Sequence, residues 1–140
     1  MMKVIFLLVK HQATIIEIKE RFAINILRKI HFNQLIIFIN DIKAIGCNTI
    51  FIDGSFVTDT QLPHDIDICW DNIGVDLNLA FIKMPVLFDM DHPRSEQQRL
   101  YHADIFPAFV FEADSMKYFI DFFQKDKKSS NPKGIIKLEI

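Results

Sequence analysis

The sequence predicts an α+β (α/β) fold: a small mixed β-sheet with helices on one side, the first helices preceding the sheet. Three observations lead there. The 140 residues are 50% apolar, with 14 Phe and only 4 Gly, enough to bury a core and unlike a fibrous or low-complexity chain. Capping signals and helical periodicity dominate the early part of the chain. After it, short β-branched runs alternate with short helical patterns. The length fits a single domain over 1–140, with no internal repeat.

Each element has a local reason. Val4 to Val9 is an apolar run too short for a signal-peptide core or a membrane span, and reads as a buried or partner-paired strand. Thr14 and Glu17 form a capping box that starts a helix over 15–23. A longer helix follows over 25–44, with Leu27, Ile30, Phe38, Ile42 and Ile45 as its apolar stripe and Gly46 as its C′ residue. The β-branched run at 35–39 also suits a strand. Thr49 to Ile52 and Ile66 to Trp70 read as buried neighbouring strands. Asp76 to Lys83 reads as a short helix. Pro93 to Leu100 reads as another, capped by Asp91 or His92 with Pro93 at N1. A third strand, Ala103 to Phe111, is interrupted by Pro107. Ser115 to Phe123 looks helical with Asp114 as its cap, and Gly134 to Ile140 reads as a closing strand. Phe106, Phe109, Phe111, Phe119, Phe122 and Phe123 follow core spacing.

The formal net charge of −2 gives no global attraction to nucleic acid or anionic membrane. Cys47 and Cys69 have neither metal nor redox-motif spacing and read as free thiols. Together these features predict a soluble, cytoplasmic protein with no membrane association.

Chemistry concentrates between 53 and 70. The strand Ile50-Phe-Ile-Asp runs into Gly54-Ser55, and Asp65-Ile-Asp67 opens the next strand ten residues after Ser55. Gly54 lets a phosphate approach the backbone, and Ser55 adds a hydroxyl and an N–H. Strand alternation puts Asp65, Asp67 and Cys69 on one face and Ile66, Ile68 and Trp70 on the other. Two aspartates on one face lie roughly 6.5–7 Å apart at the backbone, within reach of one hard cation or a bridged pair. Such a phosphate turn beside paired carboxylates suits nucleotidyl transfer. Asp104, in Tyr101-His-Ala-Asp-Ile-Phe-Pro107, is the candidate third carboxylate, brought beside Asp67 by a neighbouring strand. Asp89 and Asp91 repeat the spacing in a loop and rank lower. Asp53 and Asp71 read as supporting or solvated acids, and His64 as a loop histidine.

At these residues the chain resembles the nucleotidyltransferase superfamily, which includes polymerase-beta-like enzymes and minimal nucleotidyltransferase antitoxins. The shared pattern is an apolar strand, Gly-Ser, a variable stretch and acid-apolar-acid. Small bacterial and phage nucleotidyltransferase-like proteins of unassigned function are more similar still. They share Asp-Gly-Ser-Phe-Val-Thr (53–58), Asp-Ile-Asp, Asp-Ile-Phe-Pro (104–107) and a closing Phe-Phe-Gln…Lys-Gly-Ile (122–135). The resemblance implies Gly54 and Ser55 on the triphosphate, with Asp65, Asp67 and Asp104 on one or two Mg²⁺ ions. It implies transfer from an NTP to a hydroxyl on protein or RNA, in a toxin–antitoxin or phage-defence setting. Many minimal members carry a basic residue after Gly-Ser, where this chain has Phe56; Lys133, or the group Lys125, Lys127 and Lys128, is the expected substitute. So small a chain leaves little room for an acceptor domain, so a protein partner or homo-oligomer is expected, with the helix at 25–45 as the contact surface. Two other readings stay open: an inactive protein-binding module of the same fold, and a metal-dependent nuclease using the same acids.

Overall fold

Alternation along the strands sorts the apolar residues onto two faces of one sheet. The computed structural model describes residues 11–53, 66–89, 94–112, 114–122 and 135–140. The elements are β1 (His11–Ala13), α1 (Ile15–Phe22), α2 (Ile26–Lys43), β2 (Thr49–Asp53), β3 (Ile66–Trp70), α3 (Leu77–Lys83), a 3₁₀ turn (Pro85–Phe88) and α4 (Ser95–Tyr101). After these come β4 (Ala103–Pro107), β5 (Phe111–Glu112), β6 (Lys117–Tyr118), α5 (Phe119–Phe122) and β7 (Ile136–Glu139).

Among the described residues, five strands form a mixed sheet in the order β1-β7-β2-β3-β4, and β5 pairs with β6 separately. β1 is parallel to β7 and β3 to β4, while β2 is antiparallel to both of its neighbours. This is the expected α+β fold with N-terminal helices before most of the sheet. The strand expected at Val4 to Val9 lies outside the described residues.

One face carries Ile50, Ile52, Ile66, Ile68, Trp70, Ala103, Ile105, Ile136 and Leu138, all buried against α1 and α2. Each buried Ile contributes about 1.5–3 kcal/mol relative to exposure. The opposite face holds a smaller cluster of Phe51, Cys69, Phe106, Ala108, Ile120 and Ile135. The helices are therefore mainly one-sided, with Ile120 of α5 on the second face.

Local chemistry sets most boundaries. Thr14 Oγ1 accepts the Glu17 N–H at 3.2 Å, and Glu17 Oε1 accepts the Thr14 N–H at 3.1 Å, completing the capping box. Asn25 caps α2 by accepting the Arg28 N–H at 2.9 Å. The run at 35–39 is helical. Phe38, Ile42 and Ile45 of the predicted stripe are buried, but Ile30 is exposed, and Arg28, His31 and Leu35 are buried beside them. Gly46 has φ +92° and lies two residues beyond the cap Ala44, a conformation that favours glycine.

Three predicted elements differ. α4 begins at Ser95, because Arg94 is left-handed (φ 55°, ψ 47°) and cannot belong to the helix. β4 stops at Pro107: the Ala108 N–H donates the last bond of the ladder, to the Trp70 carbonyl at 2.8 Å, and the chain then turns so that the Phe109 N–H donates to Asn72 Oδ1 at 2.8 Å. Among the described residues the helix predicted from Ser115 begins at Phe119, because Met116 is left-handed (φ 56°) and Lys117 and Tyr118 pair with Glu112 and Phe111.

Candidate functional site

Asp53 ends β2, and its register partner on β3 is Asp67. Asp67 in turn pairs with Asp104 on β4. Residues in register share a face, so three carboxylates form a row across three adjacent strands. The next row inward is Phe51, Cys69 and Phe106, in the same registers. The row therefore borders the smaller apolar cluster at one end of the sheet. Asp53 is buried, whereas Asp67 and Asp104 are half-buried. The solvated reading of Asp53 is corrected: β2 runs one residue further than predicted and carries Asp53 onto the face of Asp67.

Neighbouring strands lie about 4.8 Å apart, so the outer members of the row are about 10 Å apart at the backbone. Among the described residues, accordingly, no three His, Cys, Asp or Glu side chains converge into a set that could hold one metal ion. The adjacent pair Asp67 and Asp104 can share one hard cation. Gly54, Ser55, Asp65 and Lys133 lie outside the described residues, as do His64, Asp91, His92 and the Lys125, Lys127 and Lys128 group.

Electrostatics favour oxygen chemistry here. Burial pushes the Cys69 thiol well above its ordinary range, and the carboxylates of Asp53 and Asp67 push it further. A raised pKa keeps it a protonated thiol and not a nucleophilic thiolate at neutral pH. The row itself offers carboxylate oxygens, the donor type that Mg²⁺ prefers. Like charges in one row also gain from a cation between them.

Helix α4 organises Asp104 through two consecutive glutamines. Gln98 Nε2 donates to Asp104 Oδ1 at 2.8 Å. Gln97 is fully buried; it accepts the Ile105 N–H at 2.8 Å and donates to the Ile105 carbonyl at 3.2 Å and the Val86 carbonyl at 3.1 Å. Its amide takes the place of a sixth strand on the outer edge of β4, which satisfies and blunts that edge. Neither glutamine has a spacing signal in the sequence. A third unforeseen residue is Arg94, whose guanidinium lies 4.2 Å over the Phe106 ring.

The competing acids have other work. Asp89 Oδ2 accepts the Glu96 N–H at 3.2 Å, and Asp71 Oδ1 accepts the Ile73 N–H at 2.9 Å. His102 is left-handed at the end of α4, with its ring 5.8 Å from His31. Phe106 is buried and Phe109 and Phe119 pack beside it, but Phe111 is 57% exposed, contrary to its predicted core role. A cleft of about 770 Å³ lies elsewhere, lined by Asp41, Lys83, Asp89, Leu100 and Tyr101. There the Tyr101 hydroxyl donates to Asp41 Oδ2 at 2.7 Å.

Residues 5–139, nearly the whole chain, match a protein family described as a family of unknown function, DUF6932. The chain belongs to the DUF6932 family. The match includes every strand of the sheet, and with them the carboxylate row. No curated protein and no solved structure matches the chain. Among the described residues, no helix is long and apolar enough to cross a membrane.

Proposed function

We propose that this DUF6932 chain is a magnesium-dependent nucleotidyltransferase of minimal size: a hydroxyl oxygen on protein or RNA bonds to the α-phosphorus of an NTP as the bond to the β-phosphate breaks and pyrophosphate leaves. The observation that carries this reading is the register of Asp67 beside Asp104 on parallel strands, one strand from the end of β2 that leads into Gly54-Ser55. Asp65, Asp67 and Asp104 are the ligands in this reading, and Gly54, Ser55 and Lys133 are the phosphate contacts. Bound Mg²⁺, as one or two ions, neutralises phosphate charge and acidifies the acceptor hydroxyl. Gln98 holds Asp104 through Oδ1, which leaves Oδ2 to accept the acceptor's proton. Gln97 fixes the strand that carries it. A cytoplasmic toxin–antitoxin or phage-defence role belongs to the same reading and rests on the resemblance alone.

The test offers labelled ATP, GTP, CTP and UTP with Mg²⁺ to the protein in a total RNA and protein extract. Label transferred by the wild type and absent with Asp67→Asn supports the reading. Equal transfer by both proteins excludes the mechanism.

One observation favours a second reading, an inactive protein-binding module. Helix α2 exposes Ile26, Ile30 and Ile37 at helical spacing, by 81%, 45% and 48%. Stoichiometric inhibition of a copurifying protein without nucleotide, retained in Asp67→Asn, distinguishes that reading from transfer.

A further inference from the structure

Arg94 brings positive charge to the face that carries the acid row. Phe106 lies two residues beyond Asp104 on β4, so ring and carboxylate leave the same face roughly 6.5–7 Å apart along the strand. The Arg94 guanidinium rests on that ring at 4.2 Å. Phe119 stacks on Phe106, with 5.0 Å between ring centroids, and fixes the ring in turn.

Stacking holds a guanidinium plane but uses none of its N–H donors. The buried Nε of Arg94 has no hydrogen-bond partner among the described residues. The backbone beneath it is left-handed, a conformation that costs a non-glycine residue free energy and recurs at functional sites. The same segment leads into α4, whose Gln98 grips Asp104. Lys137, in register with Phe51 on the same face, lies 3.8 Å from Glu139.

We propose that Arg94 binds the polyphosphate of a metal-bound nucleotide, turning its N–H fork onto phosphate oxygens beside Asp67 and Asp104. This rests on the nucleotidyltransferase reading and supplies the basic contact that Phe56 does not. The acid row repels a bare anion, so the polyphosphate must arrive with its cation. Binding is therefore metal-dependent, and Arg94 reads the phosphate chain and not the metal.

The experiment is calorimetric titration of the full chain with inorganic tripolyphosphate and with a non-hydrolysable ATP analogue, each with and without Mg²⁺. Wild type is expected to bind both with Mg²⁺ only. Arg94→Gln is expected to weaken both by at least about tenfold, with unchanged Mn²⁺ affinity and an unchanged melting curve. Arg94→Lys keeps the charge and loses the fork, so it falls between them; it also serves if the glutamine variant does not fold. Wild-type affinity in both variants overturns the role of Arg94 and leaves the nucleotide reading intact. Folded wild type that binds neither ligand overturns both.

Discussion

The two faces of the sheet are built to different ends. The helix-covered face fills most of its described positions with Ile, Leu, Ala and Trp and gains stability from each. The opposite face spends the ends of three adjacent strands on Asp53, Asp67 and Asp104, and buries Cys69 against them. Like charges in a row do not stabilise a fold. The packed first face can hold the strands in register while the second carries an array of like charges that does not itself add stability.

Substitutions on the two faces are expected to differ in their effects. The largest effect is expected at Trp70, which is fully buried under the helices. Trp70→Ala should cost about 3–5 kcal/mol in urea denaturation. Asp67→Asn on the other face should cost far less than Trp70→Ala, or raise stability, because it removes one of three neighbouring like charges. A comparable loss at both positions would erase the distinction between the faces.

Gln97→Leu keeps the bulk and removes the clamp on Ile105, leaving a buried N–H and C=O exposed to no partner. It should cost about 1–3 kcal/mol, measured the same way. Gln98→Ala should barely move the urea midpoint but weaken Mn²⁺ binding by about tenfold, as loss of a ligand's supporting hydrogen bond does. Equal, small effects of the two glutamines would mean that α4 does not organise Asp104.

The smallest effect concerns pH. Burial, then the hydrogen bond and charge of Asp41, push the Tyr101 hydroxyl above its ordinary value of 10.0. A raised folded-state pKa gives stability that is full below pH 10 and lost as pH rises beyond it. Tyr101→Phe should therefore lose the contribution of the hydrogen bond to Asp41 below pH 10 and flatten the stability decline above it. An unchanged alkaline profile would show that Tyr101 is not linked to folding.

Much of the first face was legible in the sequence. The runs at Thr49–Asp53 and Ile66–Trp70 are rich in β-branched residues, Ile136–Glu139 alternates Ile and Leu with charged residues, and the cap at Thr14 is local side-chain chemistry, whereas Asn25 and Asp76 read as first helical residues and are caps. Asp67 and Asp104 stood out because each sits where an apolar strand begins. The rest depended on distant partners. Strand order places Asp53 in the row, and no local pattern announces that. Gln97 and Gln98 look like ordinary polar helix residues until β4 lies beside them. The left-handed turns at Arg94 and Met116 shorten two helices against the propensity of their sequences. Phe111 has core spacing but lies on a separate two-stranded ribbon, stacked on Tyr118 with 4.8 Å between ring centroids.

The proposed role of the acid row, serving a metal-bound nucleotide, is tested most directly by a calorimetric titration of wild type and Asp67→Asn with non-hydrolysable NTP analogues and Mg²⁺. Wild type should bind in a metal-dependent way, and Asp67→Asn should lose that binding while its melting curve holds. Wild-type affinity in the variant, or no binding of ATP, GTP, CTP or UTP analogues by folded wild type, would contradict that role.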